Sequence, residues 1–290
     1  MNKFIEELFK SGPVITDGSW GTQLQEKGLG LNSCPDSWNL THPELVAEVA
    51  RSYVDAGSKI ILTNTFRSNR IALEGFGLSD KVKELNKAGV EISRRAAGDK
   101  AYVFASVGPS GKMLLSGDVT EEDLYRAFKE QVEAIKDAGA DGLVIETMSD
   151  LAEAKIALTA ARETGLPVIV SMAFDSGKNK DFTFMGHTPE MAAKELTDAG
   201  ADVIGANCGQ GIEGFVNICK RLKASTNLPL WIKPNAGLPE FQGNKASYNT
   251  TPEDYGEYIP DLLESGADFI GGCCGTTPSF IKEISRIIRS

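Results

Sequence analysis

Four short segments of one design recur along this chain: Ala56-Gly57-Ser58-Lys59, Ala138-Gly139-Ala140-Asp141, Ala199-Gly200-Ala201-Asp202 and Ser265-Gly266-Ala267-Asp268. Each stands directly before a run of Val, Ile, Leu or Phe. Glycine here fits the left-handed position that ends a helix, so each segment reads as a helix stop followed by a strand start. Three further apolar runs begin instead after Gly12-Pro13, Leu166-Pro167 and Leu228-Pro229. With the run at Tyr102 this makes eight: Pro13–Asp17, Lys59–Asn64, Tyr102–Ser106, Gly142–Glu146, Pro167–Ala173, Asp202–Asn207, Pro229–Lys233 and Asp268–Gly272. Helix-opening signatures lie between them. Thr41 is expected as an N-cap with Glu44 as its capping-box partner, and Thr120, Thr188, Thr251 and Thr277 open others. Strands that are apolar throughout and alternate with helices indicate a parallel sheet covered by helices. At this length a closed (β/α)8 TIM barrel is favoured over an open sheet, with residues 1–290 forming a single α/β domain.

A net charge of −10 argues against nucleic acid, whose phosphates need a basic surface. No apolar stretch approaches the ~20 residues of a bilayer span. The N-terminus, Met1-Asn2-Lys3-Phe4-Ile5-Glu6-Glu7-Leu8, is a short amphipathic pattern unlike a signal peptide. A cytoplasmic enzyme with reduced thiols is the expectation, since five cysteines in a chain of this size do not suggest a disulfide framework.

A parallel barrel places its chemistry on the loops after the strands. Those tips carry Asp17, Asn64, Gly108, Glu146, Asp175, Cys208, Asn235 and Cys273-Cys274. Cys208, Cys273 and Cys274 all follow strands and lie beside glycine. A soft thiolate cluster is what Zn²⁺ prefers, and three ligands leave one coordination position open, as in catalytic sites. Three small buried side chains, or a vicinal disulfide, are the alternatives. Cys219, on the apolar side of a helical segment with Phe215, Ile218 and Leu222, reads as core, and Cys34 receives no role. His42 and His187 precede helix starts and read as cap-supporting or solvated. Asp17 and Glu146 close apolar strands, so a cation must face them; it is either a substrate's or an internal one such as Lys112, Arg67 or Arg70. Gly271–Gly275 followed by Thr276-Thr277-Pro278 also fits a phosphate cradle at a helix N-terminus, which would make the chain a phosphate-binding barrel lyase.

The motifs Thr16-Asp17-Gly18-Ser19-Trp20-Gly21-Thr22, Thr63-Asn64-Thr65-Phe66, Gly108-Pro109-Ser110-Gly111, Ile145-Glu146-Thr147, Asn207-Cys208, Pro234-Asn235-Ala236-Gly237 and Gly271-Gly272-Cys273-Cys274-Gly275-Thr276-Thr277-Pro278 together resemble the homocysteine S-methyltransferase family, from about residue 10 onward. The resemblance implies a (β/α)8 barrel and zinc held by Cys208, Cys273 and Cys274. It implies that Asp17 and Glu146 hold the homocysteine amino group, that backbone N–H groups near Ser106–Gly108 take its carboxylate, and that Asn235 can reach the metal when substrate is absent. The segment Thr63–Arg70 with Gly108–Gly111 looks most like the homocysteine-binding barrel of cobalamin-dependent methionine synthase, which points to a methyl-corrinoid donor carried on a separate protein. Betaine-using relatives carry Tyr after the strand-four Glu and aromatic residues after strand two. Here those places hold Thr147 and Arg67, so betaine and S-methylmethionine are the alternative donors.

Overall fold

A computed structural model of the chain describes residues 2–242 and 245–289. Eight parallel strands form one sheet: β1 (Val14–Ile15), β2 (Ile60–Ile61), β3 (Tyr102–Val107), β4 (Gly142–Met148), β5 (Val168–Met172), β6 (Val203–Gly211), β7 (Leu230–Asn235) and β8 (Ala267–Ile270). Their order around the sheet runs β1, β8, β7, β6, β5, β4, β3, β2. The remaining seam, between β1 and β2, is bridged by Lys59 N–H donating to Ile15 O at 2.7 Å and Ser58 Oγ to Thr16 O at 3.2 Å. The result is the (β/α)8 barrel expected from the eight runs. The four lead-in glycines take left-handed backbone, with φ of 111° at Gly57, 86° at Gly139, 87° at Gly200 and 97° at Gly266. Each ends a helix so that the chain can turn back into the sheet.

Alternation along each strand divides the core in two. Ile61, Val103, Leu143, Val168, Ile204, Leu230 and Ile270 face the surrounding helices. Ile60, Leu62, Phe104, Val144, Ile169, Val203, Trp231 and Phe269 fill the barrel interior. Ile5 joins this inner cluster from the N-terminal helix Lys3–Phe9. Phe4 stacks on Phe104 at 6.2 Å and Phe9 meets Phe269 edge-on at 6.0 Å, so this helix stoppers the end of the barrel where the strands begin. The amphipathic N-terminal pattern is thus a plug. Two residues beyond the inner apolar side chains of β3, β4, β5 and β7 come Ser106, Glu146, Ser171 and Lys233, all buried. A polar layer therefore lies above the apolar one, toward the strands' C-terminal ends.

The helix starts follow the sequence with one correction. Thr120 and Thr251 form capping boxes with Asp123 and Asp254, and Thr188 caps Pro189–Asp198 by accepting from Met191 N–H. Thr41 is not a cap: a short preceding helix, Trp38–Thr41, absorbs it, and its hydroxyl donates to Ser37 O. His42 occupies the N-cap position of Pro43–Ala56 without a side-chain cap bond. A two-stranded hairpin, Glu240–Gln242 with Lys245–Ser247, follows β7 and has no counterpart in the strand pattern read from the sequence. Among the described residues no helix is long and apolar enough to cross a membrane.

Candidate active site

The three strand-tip thiols converge. Cys208, Cys273 and Cys274 place their sulfurs within 4.8 Å of one another, with Cys208 Sγ 3.8 Å from Cys274 Sγ. A tetrahedral ion with Zn–S bonds of about 2.3 Å requires sulfurs about 3.8 Å apart, which the Cys208–Cys274 pair meets, so the chemistry of the donor set fits zinc. All five cysteines are free thiols; the three do not form a vicinal disulfide, and they are half-buried rather than sunk in the core. Cys219 is buried core, its thiol facing Ser265 O at 3.5 Å. Cys34 packs with Leu73, Val82 and Leu85. Burial pushes the Cys34 thiol up to about 11 and the Cys219 thiol up to about 12, so both stay protonated.

Backbone geometry delivers these sulfurs. Cys208 adopts φ 62° and Thr147 φ 61°, the left-handed region that costs a non-glycine residue on the order of 1–3 kcal/mol and persists where surroundings enforce it. Asn207, fully buried, does the enforcing. Its Oδ1 accepts from Thr147 N–H at 2.9 Å and Ser171 Oγ at 2.7 Å, while its Nδ2 donates to Thr147 Oγ1 at 2.7 Å and approaches Cys273 Sγ at 3.8 Å. Pairing shifts register between Ile145 and Met148 and between Asn207 and Gly211, bulges that re-aim the chain just where the site is built. At the end of β8, a Cβ on Gly271 would lie 2.1 Å from Thr16 Oγ1 and 2.5 Å from Asp17 O, so glycine is required for β8 to close against β1.

The backbone N–H groups of residues 271–276 are all engaged, with Ile232 O, Asp17 O, Pro234 O, Asn235 Oδ1, Thr22 Oγ1 and Cys273 O respectively. This overturns the phosphate-cradle alternative, because a cradle needs unpaired amides pointing at the ligand. Asn235 uses Oδ1 for Cys274 N–H at 3.0 Å and turns its amide toward Cys208 sulfur. It orients two of the thiols. The Tyr248 ring, after the hairpin, packs against Gly275 beside Cys274. Hydrogen bonding with Cys273 and Cys274 lowers the Cys208 pKa below that of a free thiol. The same bonds to Cys208 push Cys273 and Cys274 up.

Below the sulfurs sits a charged pocket. Asp17 is fully buried and accepts from Lys233 Nζ at 2.5 Å through Oδ1, and from Trp20 Nε1 and Leu62 N–H at 2.7 Å each through Oδ2. Glu146 accepts from Ser106 Oγ through Oε1 at 2.5 Å. Burial raises the Glu146 pKa, opposed by the nearby Lys233 ammonium and the Ser106 hydrogen bond. The internal cation is therefore Lys233, and not Lys112, Arg67 or Arg70. Arg70 pairs with Glu130 at 2.7 Å, Arg67 lies over the Phe76 ring at 5.7 Å, and Lys112 lines an outer cleft with Arg70. Of the backbone donors at the end of β3, Ser106 N–H donates to Thr63 Oγ1 at 3.2 Å and Gly108 N–H to Phe66 O at 2.9 Å. Neither histidine joins the site: His42 stacks on Trp38 at 4.6 Å, and His187 lies 3.9 Å from Asp150.

Lys233, Ser171 and Tyr248 are the residues that sequence reasoning missed, and Asn207 was seen only as the neighbour of Cys208. The signal for the first was present, because Trp231 and Lys233 share strand parity and one inward residue predicts the next.

Comparison with known proteins matches residues 14–288 to the model of a family described as homocysteine S-methyltransferase. Methionine synthases of Mycobacterium leprae and Mycobacterium tuberculosis are each 30% identical over 294 residues, covering 95% of this chain but 24% of their own length. The chain thus spans about a quarter of the curated relatives it matches. Among solved structures, the oxidised form of the Escherichia coli homocysteine methyltransferase MmuM superposes with TM-score 0.79 at 25% identity over 96% of both chains. Its metallated form gives 0.82 at 24% over the full length of both, a likeness of fold.

Proposed function

The chain belongs to the homocysteine S-methyltransferase family, and from that premise we propose that it methylates homocysteine to methionine, using zinc held by Cys208, Cys273 and Cys274, with a methyl-corrinoid on a separate protein as donor. The observation that carries this reading is the three-sulfur cluster, spaced for a tetrahedral ion at the open end of a barrel. An ordinary thiol with a pKa of about 8.5 is only a few per cent ionised at neutral pH. When bound here, zinc supplies the Lewis acidity that keeps a coordinating substrate thiol ionised.

The protein's own residues do the rest. Three thiolate ligands outweigh the charge of a divalent ion, which preserves electron density on a sulfur that must act as nucleophile. Asn207 and Asn235 fix the sulfurs from beneath. Glu146 has an oxygen beyond the one taken by Ser106 and receives the acceptor's ammonium, with Asp17 adding its charge from behind Lys233. Nucleophilic attack of a thiolate on a methyl group needs no general base, so the absence of histidine from the site is consistent with the chemistry.

The donor reading is supported by the methionine synthase relatives and by Thr147 and Arg67. A trimethylammonium cage requires aromatic faces; instead Thr147 is bonded to Asn207 and Arg67 lies against Phe76. A small-molecule donor, betaine or S-methylmethionine, is the second reading. Incubating zinc-loaded protein and homocysteine separately with methylcobalamin, betaine and S-methylmethionine distinguishes them. Methionine is expected from methylcobalamin alone; methionine from betaine or S-methylmethionine, with none from methylcobalamin, overturns the donor assignment.

A further inference from the structure

We propose that Tyr248 is a positioning residue of the thiol cluster: its ring lies across the turn that carries Cys274 and shields the metal–sulfur bonds from water. This rests on the reading that Cys208, Cys273 and Cys274 hold zinc, and adds what keeps the ion in place. The turn from Cys273 to Thr276 is tied down by backbone donors and acceptors. Cys273 N–H donates to Pro234 O at 2.7 Å and Cys274 N–H to Asn235 Oδ1 at 3.0 Å, while Cys274 O accepts from Ala236 N–H at 2.9 Å. Gly275 N–H donates to Thr22 Oγ1 at 3.1 Å. These bonds reach the turn from the end of β7 and from the helix Trp20–Glu26. The Tyr248 ring reaches it from a third element, the segment that follows the hairpin.

Gly275 is the seat of the ring. A Cβ at this position would meet Tyr248 Cγ, Cδ1 and Cδ2, the last two at 2.6 Å, so the Gly275 Cα lies against the face of the aromatic ring. Its φ of 81° makes a second demand for glycine at the same residue. Tyr248 is half-buried and packs against the core that lies between strands and helices. Its hydroxyl is within electrostatic reach of the whole cluster, because burial, and then the charges of Cys274, Cys208 and Cys273, push its pKa up. The apolar surroundings of a metal site control the access of solvent to it. An aromatic face seated beside a half-buried ligand performs that task here. The backbone bonds of the turn do not involve Tyr248, so losing the ring should loosen the metal and leave the turn in place.

The test measures how fast zinc-loaded protein releases its ion to excess EDTA. Tyr248→Ala should release zinc roughly 10- to 100-fold faster than wild type, the range by which losing a group that supports a metal ligand weakens binding. Tyr248→Phe, which keeps the ring, should release it at the wild-type rate. A Tyr248→Ala protein no faster than wild type overturns the assignment, and so does a Tyr248→Phe protein as fast as Tyr248→Ala. A measurement on wild type guards against misfolding of the alanine variant. In protein with ¹³C-labelled tyrosine rings, the resonance missing from the Tyr248→Phe spectrum belongs to Tyr248. Zinc loading should shift that resonance, and an unmoved resonance overturns the role. Wild-type protein that holds no zinc overturns the metal reading and the role of Tyr248 with it. Wild type that holds zinc, beside a Tyr248→Ala protein that releases it no faster, removes Tyr248 alone.

Discussion

Replacing Cys273 with alanine is expected to remove metal and turnover together. Cys273 is one of the three clustered thiols, its sulfur within 4.8 Å of the other two and 3.8 Å from the amide of Asn207. Loss of a residue that merely orients a metal ligand costs 10–100-fold in affinity, so loss of a ligand itself should weaken zinc binding by at least about a hundredfold. Purified wild-type protein should carry close to one zinc per chain and Cys273→Ala almost none, as measured by elemental analysis after dialysis. Cys208→Ala should behave alike, whereas Cys34→Ala and Cys219→Ala, at buried sites far from the cluster, should change neither property. The sign of the pH dependence follows from the thiols. Cys273 and Cys274 are pushed up, so metal loading releases their protons, and zinc affinity should fall as pH is lowered.

Lys233→Met should be the most destabilising single change in the barrel interior. It leaves Asp17, fully buried, as an anion without a cation, and breaking a buried pair from one side costs roughly 3–5 kcal/mol. Replacing both partners, as Asp17→Asn/Lys233→Met, removes the uncompensated charge and should recover most of that loss. Urea denaturation of wild type, the single variant and the double variant measures this directly. A Lys233→Met protein as stable as wild type would mean that Asp17 is satisfied by Trp20 and Leu62 alone.

The barrel was legible because its signals are local. Glycine after a helix and an apolar run after that glycine are properties of a few adjacent residues, and Gly57, Gly139, Gly200 and Gly266 all take the left-handed conformation expected of them. The cysteines were legible for a related reason: strand ends are readable, and a parallel barrel sends every strand end to one rim. The charged pocket was not. Asp17 and Lys233 are 216 residues apart, and their pairing depends on the closure of β1 against β8 and of β8 against β7. Lys233 stands in an apolar run, where only strand parity reveals that it points inward. Thr41 misled because two helices abut there, so its hydroxyl had a carbonyl of its own helix to satisfy. Asn207 was visible as a neighbour of Cys208, but its role lies in partners on β4, β5 and the β8 tip.

The central claim is that the three thiols hold a zinc ion with a position open to the acceptor's sulfur. X-ray absorption at the zinc edge, recorded on zinc-loaded protein before and after saturation with homocysteine, tests it most directly. Three sulfur neighbours and one lighter ligand are expected without homocysteine, changing to four sulfurs at about 2.3 Å once it is added. A zinc environment unaltered by saturating homocysteine would contradict the account.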